Sequence, residues 1–172
     1  PVAPSLAQLR GRVVVVHAFQ MLCPGCVAHG LPQVKRLAQV FAQRDVAVLG
    51  LHTVFEHHAV MTPAALRVFL HEYRITFPVG IDLPGEPGPL PHTMQAYRLE
   101  GTPTWLVFDR QGQLRLQQLG QVDDMALGAV IGELLAQLFA DLPGKVECGE
   151  LAVREETRGL LLPTAIFARW SR

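Results

Sequence analysis

Cys23 and Cys26, separated only by Pro24 and Gly25, are the residues of this chain best suited to chemistry. Two intervening residues let the sulfurs close a small disulfide with little backbone movement. The pair follows a dense run of β-branched residues and precedes a stretch with helical spacing, so it falls where a strand gives way to a helix. A helix N-terminus offers unpaired amides and partial positive charge, which stabilise a thiolate. In that setting Cys23, at the exposed edge, is the expected nucleophile. Cys26, one turn in, is the expected resolving thiol that attacks the mixed disulfide. A Cys-x-x-Cys pair also serves as half of a zinc site, with His29 as a conceivable third ligand, but no second Cys or His pair follows at a suitable spacing. Two inert buried cysteines are the remaining alternative.

Other reactive residue types are placed more loosely. Glu56-His57-His58, with His52 nearby, could chelate a metal, yet an irregular stretch fixes no geometry and surface loop polarity explains it better. Cys148 is open to three readings: an exposed spare thiol, a buried hydrophobe or a third redox partner. Met21, Leu22 and Trp105 are expected to supply apolar surface around the sulfurs, with simple packing an equal alternative for Trp105. Phe55 and the segment after it are expected to flank the site and shape access to it.

The elements that must position these residues follow from periodicity. Val13–Phe19, VVVVHAF, reads as a strand buried on both faces. Cys26 to about Ala42 has apolar residues at helical spacing, with Pro32 inside it expected to kink the helix. Val46–His52 is a second apolar strand. Thr62 is an N-cap candidate with Pro63 at the first helical position, opening a helix to about Tyr73. Pro78 to Pro91 is rich in Pro and Gly and reads mostly as loop, with a short strand at Val79–Ile81 and a short helix around Thr93–Tyr97 after it. Thr104–Phe108 and Leu114–Leu119 form a hairpin across the turn Asp109-Arg110-Gln111-Gly112, and residues 124–140 form a terminal helix.

Helices between the early strands imply parallel right-handed crossovers, and the late hairpin adds antiparallel strands to the same sheet. The expected class is therefore α/β, a mixed central sheet flanked by helices. Residues 1–140 form the domain, and residues 141–172 are an extension whose apolar stretches Val146–Val153 and Leu160–Trp170 pair as strands or dock on the body.

Composition narrows the function. The chain has 172 residues, close to one domain, with 49% hydrophobic and 17% charged residues and a formal net charge of zero. That balance gives no electrostatic draw toward nucleic acid or an anionic membrane. No apolar run approaches the ~20 residues that span a bilayer. Three cysteines are a poor disulfide scaffold for a secreted protein, and PVAPSLAQLRG has no apolar signal core, so the expected compartment is the cytoplasm, with the periplasm the alternative if a signal segment has been removed. Exposed apolar surface in the extension would support a homodimer.

Over about residues 9–140 the chain resembles the thioredoxin-like superfamily, and within it the TlpA-like and AhpC/TSA-like redoxins. The resemblance is carried by GRVVVVHAFQMLCPGCVAHGLPQ, VAVLGLHTVFEHH and GTPTWLVFDRQGQL. It implies a thioredoxin fold with an insertion between Phe55 and Pro91, between the second and third main strands. It also implies electron transfer between a dithiol and a protein or small-molecule disulfide, with a separate thiol donor and no metal or organic cofactor. Cys23 and Cys26 match the redox pair, and Pro103 matches a cis-proline that presents the backbone of Thr102 to an extended substrate. Leu22 and Pro24, beside the nucleophile, complete the substrate contacts.

This chain departs from thioredoxins in three places. Leu22 replaces a tryptophan, Pro-Gly replaces Gly-Pro between the cysteines, and His17 replaces a buried acid that accepts a proton. His17, which titrates near neutral pH when unperturbed, is accordingly a candidate acceptor for the Cys26 proton or else a satisfied core histidine. Peroxiredoxins carry Pro-x-x-x-Thr-x-x-Cys, and the corresponding positions here are Val16 and Gln20, so the peroxide-activating hydroxyl is missing. A thiol peroxidase and a non-catalytic redox switch remain the alternatives.

Overall fold

The computed structural model describes residues 4, 6–42, 45–85, 88 and 90–137. Its centre is a five-stranded mixed sheet in the order β3-β2-β1-β4-β5. These strands are β1 (Val13–Phe19), β2 (Val46–His52), β3 (Val79–Ile81), β4 (Thr104–Phe108) and β5 (Leu114–Leu119), with the bounds the sequence predicts. β1 runs parallel to β2 and antiparallel to β4, and β2 is parallel to β3. The hairpin β4–β5 closes the other edge.

Both faces of the sheet are covered, which is why every residue of β1 and β2 is buried. Val13, Val15 and Phe19 pack with Val34, Leu37, Leu127 and Ile131 on one face. The alternate residues Val14, Val16 and Ala18 pack with Leu9, Met94 and Tyr97 on the other. A fully buried valine contributes about 1.5–3 kcal/mol from burial, so β1 is a principal source of stability as well as the strand that delivers the cysteines.

The helices are α1 (Leu6–Leu9), α2 (Leu31–Val40), α3 (Pro63–Glu72), α4 (His92–Tyr97) and α5 (Asp124–Ala136). α1 was not legible as a periodic segment. Thr62 caps α3 as the sequence predicts, its Oγ1 accepting the Ala65 N–H at 3.2 Å. The first helix after the cysteines differs in form from the expected kink: residues Cys26–Gly30 make a π turn, with the Leu31 N–H donating to the Cys26 carbonyl. Pro32 at the start of α2 has no N–H to give the preceding turn, and a widened turn is one way a helix absorbs that loss.

The segment between β2 and β4 is not a featureless loop. It carries α3, β3 and α4, and buried Asp82 ties the end of β2 to the start of α4. Asp82 Oδ2 accepts the Thr53 hydroxyl at 2.8 Å, and Oδ1 accepts the Thr93 N–H at 3.0 Å, capping a helix whose N-cap, Pro91, has no side-chain cap bond. α5 is fixed to α2 by Gln33, which donates to the Val122 carbonyl and to Asp124 Oδ1, both at 2.7 Å.

Among the described residues no helix is long and apolar enough to cross a membrane. Cys148, the stretches Val146–Val153 and Leu160–Trp170, the end of the predicted 124–140 helix and the self-association surface assigned to the extension all lie outside the described residues.

Asp82→Ala strands the Thr53 hydroxyl and the Thr93 N–H in buried surroundings. We expect a loss of about 2–4 kcal/mol in urea unfolding, from the desolvation cost of two orphaned groups. A loss below about 0.5 kcal/mol contradicts the role of Asp82 as the tie between β2 and α4.

Candidate active site

β1 ends at Phe19, and the chain then turns through Gln20–Leu22 to reach Cys23. The Cys23 N–H donates to the Gln20 carbonyl at 3.2 Å, and helical geometry begins at Pro24. Cys23 therefore stands at the open end of the helix, half-buried, while Cys26 is fully buried one turn in. The Cys26 N–H donates to Cys23 Sγ at 3.2 Å, so a helix-end amide is aimed at that sulfur. From across the site, the Thr102 carbonyl accepts from the Cys23 thiol at 3.4 Å.

That carbonyl is delivered by the loop before β4. The Thr102–Pro103 peptide is cis, and the Pro103 ring faces Gly25: a Cβ at Gly25 would lie 3.5 Å from Pro103 Cδ. Thr104 Oγ1 braces the loop by donating to the Gly101 carbonyl at 2.7 Å. The two cysteines, Thr102 and Pro103 thus meet at one end of the sheet, as the sequence places them.

An open groove of about 510 Å³ lies beside Cys23. Leu22, Pro24 and Thr102 line it on the side of the cysteines, and Phe55, Glu56 and His57 line it from the segment after β2. Leu22 is 53% exposed, an apolar side chain presented to whatever occupies the groove. Phe55 flanks the site as expected. The metal-like grouping of Glu56, His57 and His58 with His52 does not form: the first three are exposed, and His52 is buried where its Nε2 accepts the Met21 N–H at 3.4 Å. Burial lowers His52 to about 4, keeping the ring neutral for that role. Among the described residues no three His, Cys, Asp or Glu side chains come together as a metal-binding group, the set Cys23, Cys26 and His29 included.

Two features of the site were not read from sequence. Gln20, buried, holds the wall of the groove that the segment after β2 supplies: its Oε1 accepts the Phe55 N–H and its Nε2 donates to Glu56 Oε1, each at 3.2 Å. A polar residue closing an otherwise buried strand was the available signal. The other feature is the close approach of His17 to the helix. His17 is fully buried, stacked on Phe19 at 5.7 Å and tilted against Trp105 at 4.6 Å. A Cβ at Gly30 would fall inside the van der Waals envelope of His17 Nε2, so Gly30 is where the ring meets the helix backbone.

The electrostatics of the pair and of His17 differ in kind. Burial, with a hydrogen bond to Cys23, pushes the Cys26 thiol up to about 12. Burial lowers His17 to about 3, and among the described residues neither ring nitrogen has a hydrogen-bond partner. His17 is therefore not the satisfied core histidine of one sequence reading. Nor does either ring nitrogen hydrogen-bond the Cys26 thiol, as the other reading required.

The Redoxin family matches residues 1–131 of the chain. The chain belongs to that family, and its class is the thioredoxin-like oxidoreductases. Among solved structures it is similar to a thioredoxin-like superfamily protein, at 55% identity and a TM-score of 0.75, covering 78% of this chain and 86% of that one. It is similar also to a thiol-disulfide isomerase from Corynebacterium glutamicum, at 53% identity and a TM-score of 0.76, covering 79% and 88%. A putative thiol:disulfide interchange protein DsbE from Chlorobium tepidum shares the fold at 23% identity and a TM-score of 0.63, covering 76% and 84%. The comparison with curated proteins finds no match.

Gly30 yields a prediction whose sign opposes helix propensity. Alanine in a helix ordinarily stabilises by ~1 kcal/mol over glycine. Here Gly30→Ala is expected to destabilise by about 1–3 kcal/mol because the new methyl overpacks the His17 ring. In a His17→Ala background the same substitution should become neutral or stabilising, as read by thermal or urea unfolding. Equal effects in both backgrounds contradict the contact.

Proposed function

We propose that the chain catalyses dithiol–disulfide exchange through Cys23 and Cys26. The asymmetry of the pair carries this reading: Cys23 opens on a groove, while Cys26 is sealed behind it with its thiol pushed up to about 12. The Cys23 thiolate attacks one sulfur of a substrate disulfide, breaking its S–S bond. The displaced sulfur leaves as a thiolate and takes up a proton. Cys26 then loses its proton and attacks Cys23 Sγ, releasing the second substrate thiol and closing the Cys23–Cys26 disulfide. The substrate gains two electrons and two protons, and a separate thiol donor restores the protein dithiol. Run backwards, the same steps oxidise a substrate dithiol.

Burial of Cys26 sets the order of events, because a protonated thiol does not compete with Cys23 for the incoming disulfide. The Thr102 backbone beside Pro103 offers an edge along which an extended chain can lie, with Leu22 and Pro24 flanking the scissile bond. The substrate class is a protein or small-molecule disulfide that fits the groove. Gln20 favours exchange over a peroxidase: it stands where a peroxide-activating threonine would be needed, and its amide is engaged with Phe55 and Glu56. The low cysteine count fits work in a reducing compartment such as the cytoplasm.

His17 has a limited part in this scheme. General bases contribute about 10²–10⁴-fold when their pKa lies near the working pH. A ring lowered to about 3, with no hydrogen bond to Cys26, is far from that condition. We assign it to packing beneath the helix, and the Cys26 proton passes to the departing thiolate or to water.

Steady-state reduction of insulin by the protein, with dithiothreitol as donor, tests the scheme. Cys23→Ser should abolish turnover, and Cys26→Ser should accumulate a mixed disulfide through Cys23, visible by mass spectrometry. One equivalent of chemistry followed by arrest would instead indicate a switch, and turnover surviving Cys23→Ser would sink the proposal. His17→Leu should slow resolution by less than about tenfold. A hundredfold loss, in the range of a general base, restores the catalytic histidine.

A further inference from the structure

We propose that Glu56 makes the groove selective by charge, admitting disulfides flanked by cationic or neutral groups and disfavouring those flanked by carboxylates. The inference rests on the reading of Cys23 as the nucleophile that faces this groove. Glu56 is the acidic side chain lining it, and among the described residues no Lys or Arg lines it to offset that charge. The apolar side chains Leu22, Phe55 and Val60 make up much of the remaining wall. A carboxylate lining the groove on which Cys23 opens attracts or repels charges carried by the incoming disulfide, most strongly at low ionic strength.

The carboxylate is also held in place, which an ordinary surface glutamate is not. Gln20 is buried at 1% exposure and donates its Nε2 hydrogen to Glu56 Oε1 at 3.2 Å. The orientation of that amide is fixed by the Phe55 N–H, which donates to Gln20 Oε1 at 3.2 Å. The Gln20 carbonyl in turn accepts the Cys23 N–H at 3.2 Å. One residue therefore connects the nucleophile and the anion across the groove. His57, next along the groove, has φ 52°, in the left-handed region that non-glycine residues rarely occupy. Its carbonyl accepts the N–H groups of both Val60 and Met61, at 3.0 and 3.1 Å, which locks the turn that presents Glu56.

The substrate class that follows is a disulfide in a basic or neutral peptide, or a small disulfide bearing amines. Glutathione disulfide, with its several carboxylates, is a poor fit for the same reason.

The test uses the fully reduced protein and two thiol-specific reagents of equal size class. One is a cationic trimethylammonium-ethyl methanethiosulfonate, the other the anionic sulfonato-ethyl analogue. The second-order rate at Cys23 is followed by peptide mass spectrometry and normalised to the rates of free cysteine. In low salt the cation:anion rate ratio should exceed that of free cysteine, and Glu56→Gln should lower it by about fivefold. Glutamine keeps an oxygen for the Gln20 amide, so the loop stays placed. Glu133→Gln, on the exposed face of α5, should leave the ratio unchanged, and salt should erase the difference between wild type and Glu56→Gln. A ratio unaltered by Glu56→Gln overturns the proposal, as does a Cys23 that reacts with neither reagent. Insulin turnover in the same preparations reports separately on whether the protein is an exchange catalyst at all.

Discussion

Cys23 and Thr102 lie 79 residues apart in sequence, yet the sulfur and the carbonyl sit 3.4 Å apart. The register of β1 against β4 brings them there. Ala18 pairs with Thr104 and His17 with Trp105, so the turn leaving β1 and the loop entering β4 emerge side by side at one end of the sheet. A slip of β1 by one residue would turn His17 out of one core layer and bring Val16 into it. Both layers are filled, one by α2 and α5, the other by α1 and α4, so the packing on the two faces enforces the register on which the site depends. The stability of the sheet and the geometry of the redox pair are, in this sense, one constraint.

The helix after the cysteines adds a second condition. Its first residues must leave an amide free for Cys23 while burying Cys26, and Pro32 must be accommodated only two turns further on. The π turn at Cys26–Gly30 meets both demands. It also brings Gly30 over His17, where the family resemblance led us to expect a proton acceptor for Cys26. The space that a side chain at position 30 would fill is taken by an imidazole that burial keeps neutral. Function at this position is read better from the pKa and the missing hydrogen bonds than from the residue that occupies the corresponding place in thioredoxins.

Much of the fold was legible because its signals are local. Apolar runs at Val13–Phe19 and Thr104–Phe108, the Thr62-Pro63 cap and the Asp109–Gly112 turn each define an element from its own residues. The Cys-x-x-Cys spacing was legible for the same reason, whereas Pro103 drew its expected place from the neighbouring Cys pair and the family resemblance. What stayed hidden depends on contacts distant in sequence. Gln20 gains its meaning only when the segment after β2 folds back to offer the Phe55 N–H and the Glu56 carboxylate. Asp82 looks like one acid in a Pro- and Gly-rich stretch until Thr53 and Thr93 converge on it. Glu56 and His57 stand exposed beside the groove, apart from buried His52, as the reading of that stretch as surface loop polarity expects.

The central claim is that Cys23 and Cys26 form one reversible redox couple. Equilibrating the protein in dithiothreitol and glutathione buffers of graded potential, and counting free thiols at these two positions by mass spectrometry, measures it directly. The account predicts a single two-electron transition to a Cys23–Cys26 disulfide, with a midpoint between ~−270 mV, where a thioredoxin-like reductase lies, and ~−120 mV, where a disulfide donor lies. If the two thiols titrate independently, or no disulfide joins them at any potential, the pair is not the working centre.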